Sequence, residues 1–183
     1  MLAFTKVKIR QINGPSQVSA LMYSKLQSEI KLWREQVQNK CLEGYLACFQ
    51  HDTSTYLVTQ ANSDHLPLKE ALLQGTWALQ DKVSLFKKLA KTLNYSLNMK
   101  SPLHHGHLHP GNVLVHKESG GLVVTDLGLH FLKKYIGMLT NGYPEEYSNK
   151  QAYSSPQILL AKGKVVQKCS EPDDIYSFGL IFW

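Results

Sequence analysis

Cysteine is scarce in this chain of 183 residues, and Cys41, Cys48 and Cys169 fall at no paired spacing. That argues against a disulfide framework or a thiolate zinc site and suits a reducing compartment, so a cytoplasmic location is expected. No apolar run approaches the roughly 20 residues of a membrane-spanning helix. No leader pattern follows Met1, and no membrane span is expected. Internal repeats and low-complexity tracts are missing too. Acidic residues are the scarcer charge, 14 Asp and Glu against 20 Lys and Arg, for a net charge of +6. The basic residues are scattered (Lys87, Lys88 and Lys91; Lys133 and Lys134; Lys162 and Lys164) and form no stripe interleaved with aromatics. Nucleic acid is therefore not an expected partner; a solvated surface with some affinity for acidic partners is.

What is present is an ordinary globular composition, 43% apolar, in a chain long enough for one domain with a real core. Residues 4–12 alternate apolar and basic side chains and read as a half-buried strand. Residues 17–38 carry apolar positions at helical spacing, with Ser16 as a candidate N-cap. Two strand-like runs follow, 45–50 and 55–60, joined by a turn at 51–54. Residues 61–67 read as a polar loop, 68–74 as a short helix and 79–98 as a longer one. Short strands over 113–115 and 121–125 flank Gly120-Gly121. An irregular segment spans 129–155, a helical turn follows Pro156, and another helix begins near Asp174.

The chemistry concentrates at residues 104–128, HHGHLHPGNVLVHKESGGLVVTDLG. His105-Gly106-His107-Leu108, then Asn112, then Asp126-Leu127-Gly128 follow the order of the H-R-D-L-x-x-x-N and D-F-G phrases. Downstream, Ser155-Pro156-Gln157 stands where A-P-E would. Asp174-Ile175-Tyr176-Ser177-Phe178-Gly179 matches a D-x-Y-S-F-G helix start. Upstream, Val7-Lys8-Ile9-Arg10 stands where V-A-I-K would. This ordered set resembles the protein kinase superfamily, in its tyrosine-kinase-like branch, and a degenerate member of it, a pseudokinase.

The resemblance implies an α+β, protein-kinase-like two-lobed fold over 1–183, with a partial small lobe at 4–60 and a partial large lobe at 61–183. No glycine-rich strand pair precedes residue 4 and no last large-lobe helices follow Trp183, so the fold is expected to be truncated at both ends. It further implies Asn112 and Asp126 as the Mg²⁺ ligands, and Arg10, Glu29, Thr59 and Gln60 as nucleotide-cleft residues. Glu29 would pair with the residue at Arg10, Thr59 would guard the back of the pocket, and Gln60 would begin the hinge. His105 would be a buried structural ring, and Asp174 would hold the catalytic-loop backbone. Tyr135, Thr140, Tyr143 and Tyr147 are candidate phosphorylation sites.

Three departures weaken the chemistry. His107 stands at the position of the base that accepts the substrate hydroxyl proton. Its ring is larger than a carboxylate and, once protonated, repels the metal. Arg10 replaces a Lys, which is no conservative exchange. Lys8 stands where a small residue lets adenine approach. The expectation is a catalytically inactive domain acting through protein partners in signalling, with ATP and Mg²⁺ binding weak or absent. Two alternatives stay open. One is an active or weakly active protein phosphotransferase. The other is a small-molecule kinase of the aminoglycoside-phosphotransferase type, whose loop H-G-D-L-H-P-G-N is similar to residues 105–112. A zinc site on His104, His105, His107 and His109 is the weaker reading, since no Cys or acidic residue stands at ligand spacing.

Overall fold

The structure, a computed structural model, describes residues 6–12, 19–52, 54–129, 131–132, 152–160 and 170–183. Two small antiparallel sheets and the helices around them make a mixed α+β chain. The first sheet has the order β1–β3–β2, from β1 (Val7–Ile12), β2 (Tyr45–His51) and β3 (Ser54–Gln60). β3 is central and alternates as a half-buried strand should: Thr55, Leu57 and Thr59 point inward. The β2–β3 turn uses Asp52 in the left-handed region at φ 51°. Helix α1 (Ala20–Gln36) covers the inner face with Leu26, Ile30 and Trp33. Its N-cap is Ser19, whose side chain accepts from the Met22 N–H. The expected cap Ser16 lies outside the described residues.

The second sheet has the order β4–β5–β6, from β4 (His65–Pro67), β5 (Val113–His116) and β6 (Leu122–Val124). Two helices follow β4, α2 (Leu68–Gln74) and α3 (Leu79–Leu97). α3 buries Leu85, Phe86, Leu89 and Leu93. The later helices are α4 (Pro156–Leu160) and α5 (Glu171–Phe182). Phe178 and Phe182 of α5 pack against Phe86 of α3, at 6.5 and 4.9 Å between ring centroids. A parallel bridge, Leu42 to Val124, ties the loop before β2 to the edge of β6. One apolar core runs through both sheets, from Leu26 and Leu57 to Val113, Val124 and Leu132.

Three features differ from expectation. β1 turns its alternation the other way: Val7 and Ile9 are 47% and 56% exposed, while Arg10 is the half-buried side chain. An inward carboxylate, described below, explains the choice. The 61–67 loop contains the strand β4, which has only three residues and a proline and leaves no periodic signal. α5 starts at Glu171, ahead of Asp174, because Ser170 and Asp173 form a capping box. The greater part of the 129–155 segment, including Tyr135, Thr140, Tyr143 and Tyr147, lies outside the described residues, as does Cys169.

Candidate functional site

The loop from His104 to Asn112 is held from below by α5. Asp174, buried near the start of that helix, accepts the main-chain N–H groups of His105 (2.7 Å) and Gly106 (2.8 Å). This is the contact the resemblance implies for Asp174. Gly106 has φ +72°, a left-handed backbone that a side chain would strain. The His105 ring is buried and spans the loop. Its Nδ1 accepts from the His107 N–H at 3.3 Å, so its Nε2 carries the hydrogen and donates to the Thr125 carbonyl at 2.9 Å. Burial lowers the His105 pKa, while the Asp174 and Asp126 charges act against that shift.

Asn112 and Asp126 are brought together by the β5–β6 hairpin. Val113 pairs with Val124, and beyond that rung the Thr125 N–H donates to the Asn112 carbonyl at 2.8 Å. The Asn112 side chain is buried and donates Nδ2–H to the His107 carbonyl at 3.0 Å. Its Oδ1 is then the atom left to accept or ligate. Asp126 follows in the left-handed region at φ +62°. His107 is half-buried in the same loop, its ring edge-on to His109 at 4.8 Å.

The first sheet supplies the other wall. Arg10 reaches from β1 to the Asp126 carboxylate, Nη1 to Oδ1 at 2.5 Å. Burial works against the Arg10 charge, but the Asp126 carboxylate outweighs it and the Arg10 pKa is raised. Glu29 lies half-buried on α1, and Arg10 forms an ion pair with Asp126. Thr59 is buried on β3 opposite Lys8 and Tyr45, and Gln60 is exposed at the strand's end. Sequence reasoning missed Glu43, Asn62 and Tyr45. Glu43 is 7% exposed and its Oε1 accepts from Asn62 Nδ2 at 2.9 Å. Burial raises its pKa and the Asp126 charge adds to that, with Lys8 and Arg10 opposing. The available signal was a lone carboxylate in the otherwise apolar stretch 41–49.

The metal question divides by ligand type. Among the described residues no three His, Cys, Asp or Glu side chains are grouped as metal ligands. Within the His-rich loop, both His105 ring nitrogens bond the loop's own backbone or Thr125, and His109 Nδ1 accepts from the Gly111 N–H at 2.9 Å. Asn112 and Asp126 offer oxygen donors, the type Mg²⁺ takes. One Asp126 oxygen is already engaged by a guanidinium.

The chain resembles a protein kinase. It is 30% identical over 102 residues to the serine/threonine-protein kinase CTR1 of Arabidopsis thaliana, a match covering 56% of this chain. The chain spans 11% of that protein's length. No family model matches the chain. The identity supports a protein kinase-like relationship. No helix among the described residues is long and apolar enough to cross a membrane.

Proposed function

We propose that the chain is a two-lobed protein kinase-like domain of the tyrosine-kinase-like branch that has lost phosphotransfer, a pseudokinase acting through protein partners in signalling. In this reading residues 4–60 belong to the small lobe and 61–183 to the large lobe. The observation that carries it is the Arg10–Asp126 ion pair at 2.5 Å, formed beside a loop whose base position is His107. A cation built into the protein sits on the carboxylate that would hold the metal. Arg10 is also the residue that would grip phosphate, so one contact engages both groups.

When bound, Mg²⁺ would neutralise charge on the transferring phosphates, held here by Asn112 and Asp126. The protein's own part would be to free Asp126 from Arg10, and the raised Arg10 pKa keeps that guanidinium charged. At His107 no carboxylate orients a substrate hydroxyl. Losing a positioned acid–base group costs roughly 10²–10⁴ in rate. ATP and Mg²⁺ binding is accordingly weak or absent.

The test is γ-phosphate transfer measured for the wild type beside Asp126→Ala, with protein substrates and with a small alcohol or aminoglycoside. Equal background in both proteins on every substrate is expected. Robust transfer that depends on Asp126 overturns the reading, and its substrate then separates a protein kinase from a small-molecule kinase.

A further inference from the structure

Glu43 is a buried carboxylate that none of the expected chemistry uses. Its backbone is fixed from two sides: the Glu43 N–H donates to the Val124 carbonyl at 2.8 Å, and the Val124 N–H donates to the Cys41 carbonyl at 2.8 Å. Residues 41–43 therefore run along the edge of β6 and stop beside Asp126. The carboxylate takes one hydrogen bond from Asn62 Nδ2 at 2.9 Å and has the Asp126 main-chain N–H as a further partner. Tyr45, two residues on, is 5% exposed, and its hydroxyl finds no hydrogen-bond partner among the described residues. Glu43, Asp126 and Arg10 all act on that hydroxyl. Glu43, Asp126, Arg10 and the Tyr45 hydroxyl thus stand close together in one polar neighbourhood.

Asp126 itself needs an anchor. At φ +62° a non-glycine residue costs on the order of 1 kcal/mol or more, and such backbones persist only where neighbours over-determine them. Arg10 holds its side chain. The Glu43 carboxylate is placed to hold its main chain. We propose that Glu43 is a positioning residue that fixes the left-handed Asp126 through its main-chain N–H and so aims the Asp126 carboxylate at Arg10. The consequence for Arg10 rests on the functional reading above; the hold on Asp126 stands apart from it.

Amide hydrogen exchange of the whole chain, resolved by NMR, reads the hold directly. In Glu43→Val the Asp126 amide should exchange about tenfold faster or more, the loss expected for a hydrogen bond to a charged group. The β5–β6 amides around Val113 and Leu122 should change far less. Glu43→Gln keeps one acceptor oxygen for two donors and should fall between wild type and Glu43→Val. Asn62→Ala leaves the carboxylate in place but looser, and should have the smallest effect. Unchanged Asp126 exchange in Glu43→Val overturns the proposal, as does a rise in step with the whole hairpin. If Glu43→Val does not fold, Asp126 exchange in Glu43→Gln equal to wild type overturns it instead. Tight Mg-ATP binding by the wild type would remove the functional reading and leave this exchange pattern intact.

Discussion

Asp174 and His105 show how single buried polar residues hold the loop that carries the candidate site. The Asp174 carboxylate accepts two main-chain N–H groups at 2.7 and 2.8 Å and is 3% exposed. Removing it strands both donors, and a charged-acceptor hydrogen bond is worth about 1.5–3 kcal/mol. Asp174→Ala should therefore lower stability by about 3 kcal/mol or more, read from the urea midpoint at constant slope. His105 gives the loop a pH dependence. Its folded pKa lies below its ordinary value because burial disfavours the imidazolium. Between the folded value and about 6.5 the unfolded chain binds more protons, so stability is full above that range and falls as pH drops through it. Urea midpoints from neutral pH down to pH ~5 should fall in the wild type and fall less steeply in His105→Gln. His65, whose pKa burial also lowers with His116 adding to the effect, keeps part of the slope.

At the scale of elements, the turn after Asp126 is tightly packed. Gly128 has φ +70°, and a Cβ there would stand 2.8 Å from Trp33 and 2.9 Å from Leu103. Gly128→Ala should cost about 2 kcal/mol or more, from backbone strain and overpacking together. A change in thermal midpoint checks it, with Gly44→Ala, where a Cβ meets nothing within 4 Å, as the mild comparison. The periodic elements were legible in the sequence for the usual physical reason: α1, α3 and β3 each bury one face, and their apolar spacing records it. β1 was legible as a strand but not in its orientation. Val7 to Arg10 alternate apolar and basic, and the inward face was chosen by Asp126, 116 residues away. β4 escaped because three residues carry no period. The β5–β6 hairpin that brings Asn112 beside Asp126 was readable because its spacing is local, and Asp174 was readable from the phrase that opens its helix. Glu43 and Asn62 were not, since their meeting depends on how β2 and β3 fold over the hairpin.

Across the whole molecule, the two sheets meet at a few polar contacts resting on a continuous apolar core. Arg10 joins Asp126 and the Leu42–Val124 bridge joins the loop before β2 to β6, while Glu43 joins Asn62 across the loops that flank β2 and β3. The first sheet is thus tied to the β5–β6 hairpin by an ion pair belonging to the chain itself. That arrangement stabilises one relative placement of the sheets, and in the proposed reading it competes with metal or phosphate for the same groups. Thermal stability measured with ATP and Mg²⁺, each alone and together, tests this most directly. A ligand at 100 times its Kd should add about 2.7 kcal/mol of stability. The account predicts no Mg²⁺-dependent shift in the wild type at millimolar Mg-ATP. A large Mg²⁺-dependent shift that Asp126→Asn abolishes would contradict it.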